Sequence, residues 1–205
     1  MKQPIILIGG GGHCKACIDV IEQEGKYEIA GIVDQKEKVG QKILGYTIIG
    51  CDDDLPELFN TYKQAIITVG QIRSAKVRIL LFEKLKTIGF QLPVIISPLA
   101  YVSSSAHIEE GSIVMHHALV NTEAHVGQNN IINSKALIEH ESTIGKHNHI
   151  STACQLNGQV KVADECFIGS GSTIANNVSI VSNVIVPAGT NVYKNINKAG
   201  IYIRR

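Results

Sequence analysis

The chain has almost no net charge, no long apolar run and no paired pattern of cysteines, and each lack removes a class of function. Nineteen Lys and Arg stand against 18 Asp and Glu in 205 residues, a formal charge of +1 with the histidines neutral. No field of one sign draws the chain to a nucleic acid or a charged membrane surface, so neither is expected as a partner. The longest apolar stretch near the N-terminus, Ile5, Ile6, Leu7 and Ile8, stops at glycines and carries no cleavage-site pattern. A membrane-crossing helix needs about 20 apolar residues. The stretch reads as a buried strand, neither signal peptide nor membrane span, and the expected compartment is the cytoplasm. The five cysteines (Cys14, Cys17, Cys51, Cys154 and Cys166) are odd in number and scattered, unlike a disulfide framework. Cys14 and Cys17 have the spacing of a redox or metal pair, but no second pair exists and both fall early in an expected helix. Packing against a sheet is the favoured role.

What is present divides at about residue 97. Residues 1–97 alternate strand and helix signals, with apolar runs at 4–8, 28–33 and 65–69 expected as strands. Helices are expected over 13–24 and 74–88, stopped by Gly25 and Gly89, and a short strand over 93–96. Residues 52–58, with Pro56, read as a short helix or turn. Solid apolar strands separated by helices argue a Rossmann-like parallel sheet covered on both faces.

Residues 98–205 obey another rule. Every sixth residue from Val102 to Val192 is Val, Ile or Leu, sixteen positions without a miss. These residue types fill about a quarter of ordinary positions, so chance does not explain the run. The residue two places earlier is usually small, as at Ala106, Ser112, Ala118, Cys154 and Cys166. Six residues make one short strand and one corner. Three such sides close a triangular coil of about eighteen residues with aliphatic and small side chains inside. The alternating strands of a sandwich would instead repeat every two residues.

Within the repeat, Ile138-Glu139-His140-Glu141-Ser142-Thr143-Ile144 carries the strongest chemical signal. His140 stands two places after an inward aliphatic residue, so its side chain is expected to point outward. The same phase holds Thr122 one coil earlier and Gly158 one coil later, and the glycine leaves room for a ligand against the wall. A carboxylate on one ring nitrogen fixes a histidine's tautomer and frees the other nitrogen as a base. Glu141 is the obvious partner. Acyl transfer needs a base for the nucleophile's proton and a donor for the developing oxyanion, and His140 and the Gly158 amide can supply them. No Cys or Ser has a base-activated setting, so direct transfer is expected. His107, His116, His117, His125 and His147 are expected as solvated surface residues.

The second motif is Gly9-Gly10-Gly11-Gly12-His13, between the first strand and helix. Free amides at a helix start favour phosphate oxygens. Asp34 ends the second strand, where a dinucleotide fold places its ribose-binding acid. Counted from Gly9, however, the third fingerprint glycine falls on Cys14, which argues against NAD.

Together these segments resemble bacterial nucleotide-sugar acetyltransferases of the hexapeptide-repeat family, chiefly the UDP-4-amino-sugar N-acetyltransferases and also the sialic acid O-acetyltransferases. The resemblance spans essentially the whole chain. It implies a left-handed parallel β-helix behind a small α/β domain, and a homotrimer. The implied reaction moves an acetyl group from acetyl-CoA to the amine of a nucleotide-linked 4-amino-4,6-dideoxy sugar. The alternative is O-acetylation of a sialic-acid-like sugar. The implied roles are His140 as general base, Glu141 orienting it, His149 at the acetyl-CoA thioester and the Gly158 amide at its oxygen. Gly10, Gly11, His13, Asp34, Gly70 and Arg73 would hold the sugar nucleotide. Gln71 and Gln35 depart from the family's usual Asn and acid, and the tail ending in Arg204 and Arg205 departs from its usual C-terminus; those two arginines face a CoA phosphate or solvent. A third use of such a helix, carbonic-anhydrase chemistry, needs zinc-binding histidines five residues apart. None of the eight histidines is so spaced, and no metal is expected.

Overall fold

The computed structural model describes residues 2–203. Strand β1 (Gln3–Ile8) enters the core with its last four residues buried and leads through the glycine loop into helix α1 (Gly12–Glu24). The buried side of α1 is Cys14, Cys17, Ile18 and Ile21, the three-and-four spacing of one helix face. Cys14 and Cys17 are free thiols in the core, and burial pushes the Cys17 thiol far up. The helix ends at Gly25, whose φ of 69° lets its N–H turn back to the Ile21 carbonyl.

After β2 (Tyr27–Val33) the chain makes a hairpin of β3 (Lys42–Ile43) and β4 (Tyr46–Gly50), then α2 (Leu55–Thr61), β5 (Gln64–Ile67) and α3 (Lys76–Ile88). The sheet order is β3-β4-β2-β1-β5. It is the expected Rossmann-like parallel sheet, with one addition at its edge, the antiparallel β3–β4 pair. Sequence reading missed the hairpin because β3 is two residues long and β4 is half-exposed at the edge. Ile5 and Leu7 face the α1 layer, and Ile6 and Ile8 the α3 layer.

The short strand expected at 93–96 forms as β6 (Ile95–Ile96), but it pairs with Ile113–Val114 and belongs to the C-terminal architecture. There, strands of two or three residues stack into three parallel sheets of six, five and seven strands. We call them the first face (containing Leu137–Ile138), the second face (containing Thr143–Ile144) and the third face (containing β6 and His149–Ile150). Partners lie eighteen residues apart, as in the ladder Leu119, Leu137, Gln155, Thr173, until the last coil, where Val184 pairs with Gly200. The architecture is a left-handed parallel β-helix. Its core is the predicted aliphatic stack with the small residues between, Ala118, Ala124, Ala136, Cys154 and Cys166 among them. At two of the small-residue positions Asn130 and Asn148 stand instead. Asn130 donates to the Gly127 and Gly145 carbonyls, and the Asn148 and Cys166 amides donate to the asparagine oxygens.

The corners share one backbone state. From Gly111 to Gly189, every sixth residue has a φ between 53° and 72°, fourteen positions of which only Gly111, Gly171 and Gly189 are glycine. A left-handed residue at each corner swings the chain onto the next face, and the ladder bonds on either side hold it there against its local cost. The α/β layer docks on the third face, where Ile95, Ile113, Met115 and Ile131 join the core formed with α1.

Candidate active site

His140 lies in the corner between the first and second faces, side chain half-exposed. Its Nδ1 meets Glu141 Oε2 at 2.9 Å. Glu141 is itself a left-handed corner residue, with φ 58°. From the next rung Gln159 donates its amide to both Glu141 oxygens at 3.2 Å. The His140 hydrogen bond first and the Gln159 bond second hold the Glu141 carboxyl below its ordinary range. With Nδ1 donating to a carboxylate, Nε2 is left as an acceptor.

That Nε2 is aimed at Gly158. A Cβ on Gly158 would fall 2.6 Å from it, so only a glycine lets the imidazole lie against the wall. The Gly158 N–H has no protein acceptor among the described residues. A shallow groove of about 330 Å³ runs beside the pair, lined by Glu141, Gln159, Lys161, Asn177 and Ser179. Gln159 was missed in the sequence. Its signal was there to find, since it stands one coil on from Glu141.

His149 is elsewhere. It is 7% exposed on the third face, at the junction with the α/β layer. Its Nδ1 donates to the Gln71 carbonyl at 2.6 Å, and its Nε2 accepts from the Asn133 amide at 2.9 Å. Burial, opposed by the Gln71 carbonyl and aided by Arg78, lowers its pKa to about 4. His13 faces it with ring centroids 6.4 Å apart, and its Nε2 is buried with no partner among the described residues. Burial, then Arg78 and His149, lower the His13 pKa to about 3.

Arg78, which the sequence analysis did not single out, is 1% exposed. It donates to the carbonyls of Ile67, Val69 and Asn129 and to Asn129 Oδ1, tying α3 to a corner of the β-helix. No carboxylate joins it among the described residues, and burial lowers its pKa to about 10. His147 corrects the expectation of a solvated residue. It is 9% exposed, accepts from Asn129 Nδ2 at 2.9 Å and meets Phe82 edge-on, because its corner faces α3. His116, also expected in solvent, bridges Ser97 and Asp19.

The glycine loop is organised by Asp34. Its Oδ2 accepts from the Gly10 amide at 2.9 Å, its Oδ1 from the Gln35 amide, and Lys38 reaches both oxygens. Partial burial works against the carboxylate, but these bonds outweigh it and hold its pKa low. Any side chain at Gly10 would strike Asp34 and Ile43, whereas Gly11 opens onto free space as the first cap residue of α1. Gly70 packs against the His13 Cβ, and Arg73 is exposed. A cavity of about 510 Å³ lies beyond the carboxyl ends of β1 and β2, with Gly9, Asp34, Lys36 and Asp52 in its lining. That is where open α/β sheets bind ligands.

One chain therefore brings together His140, Glu141 and Gly158 at one corner, and the glycine loop, Asp34, Gly70 and His149 around another face. The two groups do not meet within it. Arg204 and Arg205 lie outside the described residues.

Comparison with known proteins gives the same architecture. The profile of the PglD N-terminal domain matches residues 4–85. The structure of PerB from Caulobacter crescentus in complex with CoA and GDP-perosamine superposes with a TM-score of 0.90 at 31% identity, covering 97% of this chain and 92% of that one. The acetyltransferase domain of PglB from Neisseria gonorrhoeae gives 0.89 at 28% identity, over 98% and 96%. Its complex with acetyl coenzyme A gives 0.83 at 28%, over 94% and 93%. Curated protein sequences give no match. With the fold shared over nearly the full length of both chains at 31% identity, this chain belongs to the left-handed β-helix family of nucleotide-sugar acetyltransferases.

Proposed function

We propose that the chain transfers an acetyl group from acetyl-CoA to the amino group of a nucleotide-linked 4-amino-4,6-dideoxy sugar, with His140 as general base. The observation that carries this reading is the corner geometry: Nδ1 fixed by Glu141 at 2.9 Å and Nε2 directed over Gly158. The relatives support the substrate class, since PerB is a structure with CoA and GDP-perosamine and the PglB domain one with acetyl coenzyme A.

The acceptor nitrogen attacks the thioester carbon while His140 Nε2 takes one of its protons. The free Gly158 N–H meets the oxygen on which charge develops. As the C–S bond breaks, the imidazolium returns the proton to the departing thiolate. Glu141 keeps Nδ1 protonated throughout and favours the transient imidazolium. Gly10, Gly11, His13, Asp34, Gly70 and Arg73 serve the sugar nucleotide, with phosphate oxygens at the start of α1. Because these loops and His140 lie apart in one chain, a complete site needs a second copy, which favours the homotrimer. In that assembly His149 Nε2 exchanges Asn133 for the thioester region.

The test is a panel of UDP-, GDP- and dTDP-linked 4-amino sugars and a CMP-linked sialic-acid-like hydroxyl acceptor, read by release of free thiol from acetyl-CoA. Turnover of an amine acceptor is expected. Turnover confined to the hydroxyl acceptor sinks the reading. Sedimentation should give close to three times 22.2 kDa; a stable monomer that is fully active contradicts the shared site.

A further inference from the structure

Two histidines and a glutamate that the transfer chemistry leaves unused stand together on the second face of the β-helix. His107 and His125 are in-register partners one rung apart, their rings stacked with centroids 5.1 Å apart and planes at 15°. Strand alternation sends Ile108 inward and leaves Glu109 on the same outer side as His107. His125 Nε2 and Glu109 Oε1 are 3.0 Å apart. One ligand atom from each of the three residues lies within 4.8 Å of the others.

We propose that His107, Glu109 and His125 form a binding site for a divalent transition-metal ion of the zinc type, clamping the first two rungs of the β-helix. A tetrahedral ion with bonds of about 2.0–2.1 Å needs its ligand atoms about 3.3 Å apart. The His125–Glu109 pair is close to that spacing, and the third ligand has to close by at most about 1.5 Å as the exposed, stacked rings turn their nitrogens toward a common point. The frame beneath is fixed, with the His107 amide bonded to the Ala124 carbonyl at 2.9 Å and the Glu109 amide to the Val126 carbonyl at 2.8 Å. Two imidazoles and one carboxylate suit Zn²⁺, Co²⁺ or Ni²⁺, whereas Ca²⁺ and Mg²⁺ take oxygen ligands. Three protein ligands leave a fourth position open to water. The other exposed pairs, His116 with Asp19 and His140 with Glu141, offer a single imidazole each and are the natural contrast.

The experiment is calorimetric titration of Zn²⁺ into the metal-free full-length chain, beside His125→Ala, Glu109→Gln and a control, His117→Ala. One ion per chain is expected in the wild type and the control. Loss of a ligand should weaken binding by at least the about 10–100-fold that loss of a supporting outer partner costs. Co²⁺ should give the visible absorption of a four- or five-coordinate ion, absent in His125→Ala. The replaced side chains are on the surface, so the variants should keep the wild-type urea midpoint without metal and the same acetyl transfer in chelator. Absence of wild-type binding overturns the site. So does equal binding by His125→Ala and Glu109→Gln. Neither readout depends on acetyl transfer, so the acceptor assignment can fail without touching this one.

Discussion

The corner at His140 and the junction around His149 set the same side chain in opposite surroundings. At the corner a half-exposed imidazole has a carboxylate on one nitrogen and the bare backbone of Gly158 at the other. At the junction none of His13, His147 and His149 has a carboxylate hydrogen-bond partner among the described residues, and an arginine without an acid sits in their midst. Burial beside a guanidinium keeps an imidazole neutral, and His149, with both nitrogens engaged, fastens one part of the fold to another. An acid partner on one nitrogen and an unprotonated second nitrogen suit an imidazole to act as a base. The neighbours, not the residue type, separate the two roles.

Five substitutions or conditions test that contrast. His140→Ala should lower kcat by about 10²–10⁴-fold and leave the urea midpoint unchanged; retention of a third of the activity would falsify the base assignment. Gly158→Ala should also spare folding, since the half-exposed His140 can swing away. A displacement of about 1 Å can cost as much as about 10²-fold in rate, and steady-state kinetics will show whether kcat falls toward that level. At the junction the order reverses. Arg78→Met leaves the Val69 and Asn129 acceptors without a donor, at about 1–3 kcal/mol for each buried group. Denaturation curves should show the loss, and an unchanged midpoint would mean the arginine does not tie the halves together.

Acidification should separate the regions further. Below about pH 6.5 the unfolded chain takes up protons that folded His149 refuses down to about pH 4, so the unfolded state binds more protons and stability falls across that window. The slope from one such group is at most about 1.4 kcal/mol per pH unit. Urea midpoints of His149→Asn should be flatter with pH than those of the wild type; parallel profiles would refute the buried neutral imidazole. The smallest effect expected is that of Gln159→Ala, which removes only the second hold on Glu141 and should cost less than about tenfold in kcat, below what loss of the base itself costs. A loss as large as that of His140→Ala would make Gln159 part of the machinery rather than a support.

The β-helix was legible because its core is a strict period: sixteen aliphatic positions leave no other phase. The same count placed His140 outside and Gly158 beside it, since both follow from position within the rung. The junction was not legible. Arg78 and His147 are charged or polar residues in stretches that read as surface, and only the docking of α3 on the corner at Asn129 buries them. That contact joins residues 51 apart in the chain, and no local pattern records it. The β3–β4 hairpin was missed for the opposite reason, being too short and too exposed to leave a hydrophobic signature.

The rung has one more consequence. Each coil touches only the coil before and after it, and neighbouring strands stand about 4.8 Å apart. Height along the β-helix is therefore counted in whole steps. Removing or adding eighteen residues keeps every inward side chain inward and every left-handed corner a corner, while any number that is not a multiple of six turns the core outward. Growth along this half of the molecule is quantised. The reach from the α/β layer to the His140 corner can change by one tread or by two, as on a staircase, and never by a fraction of one.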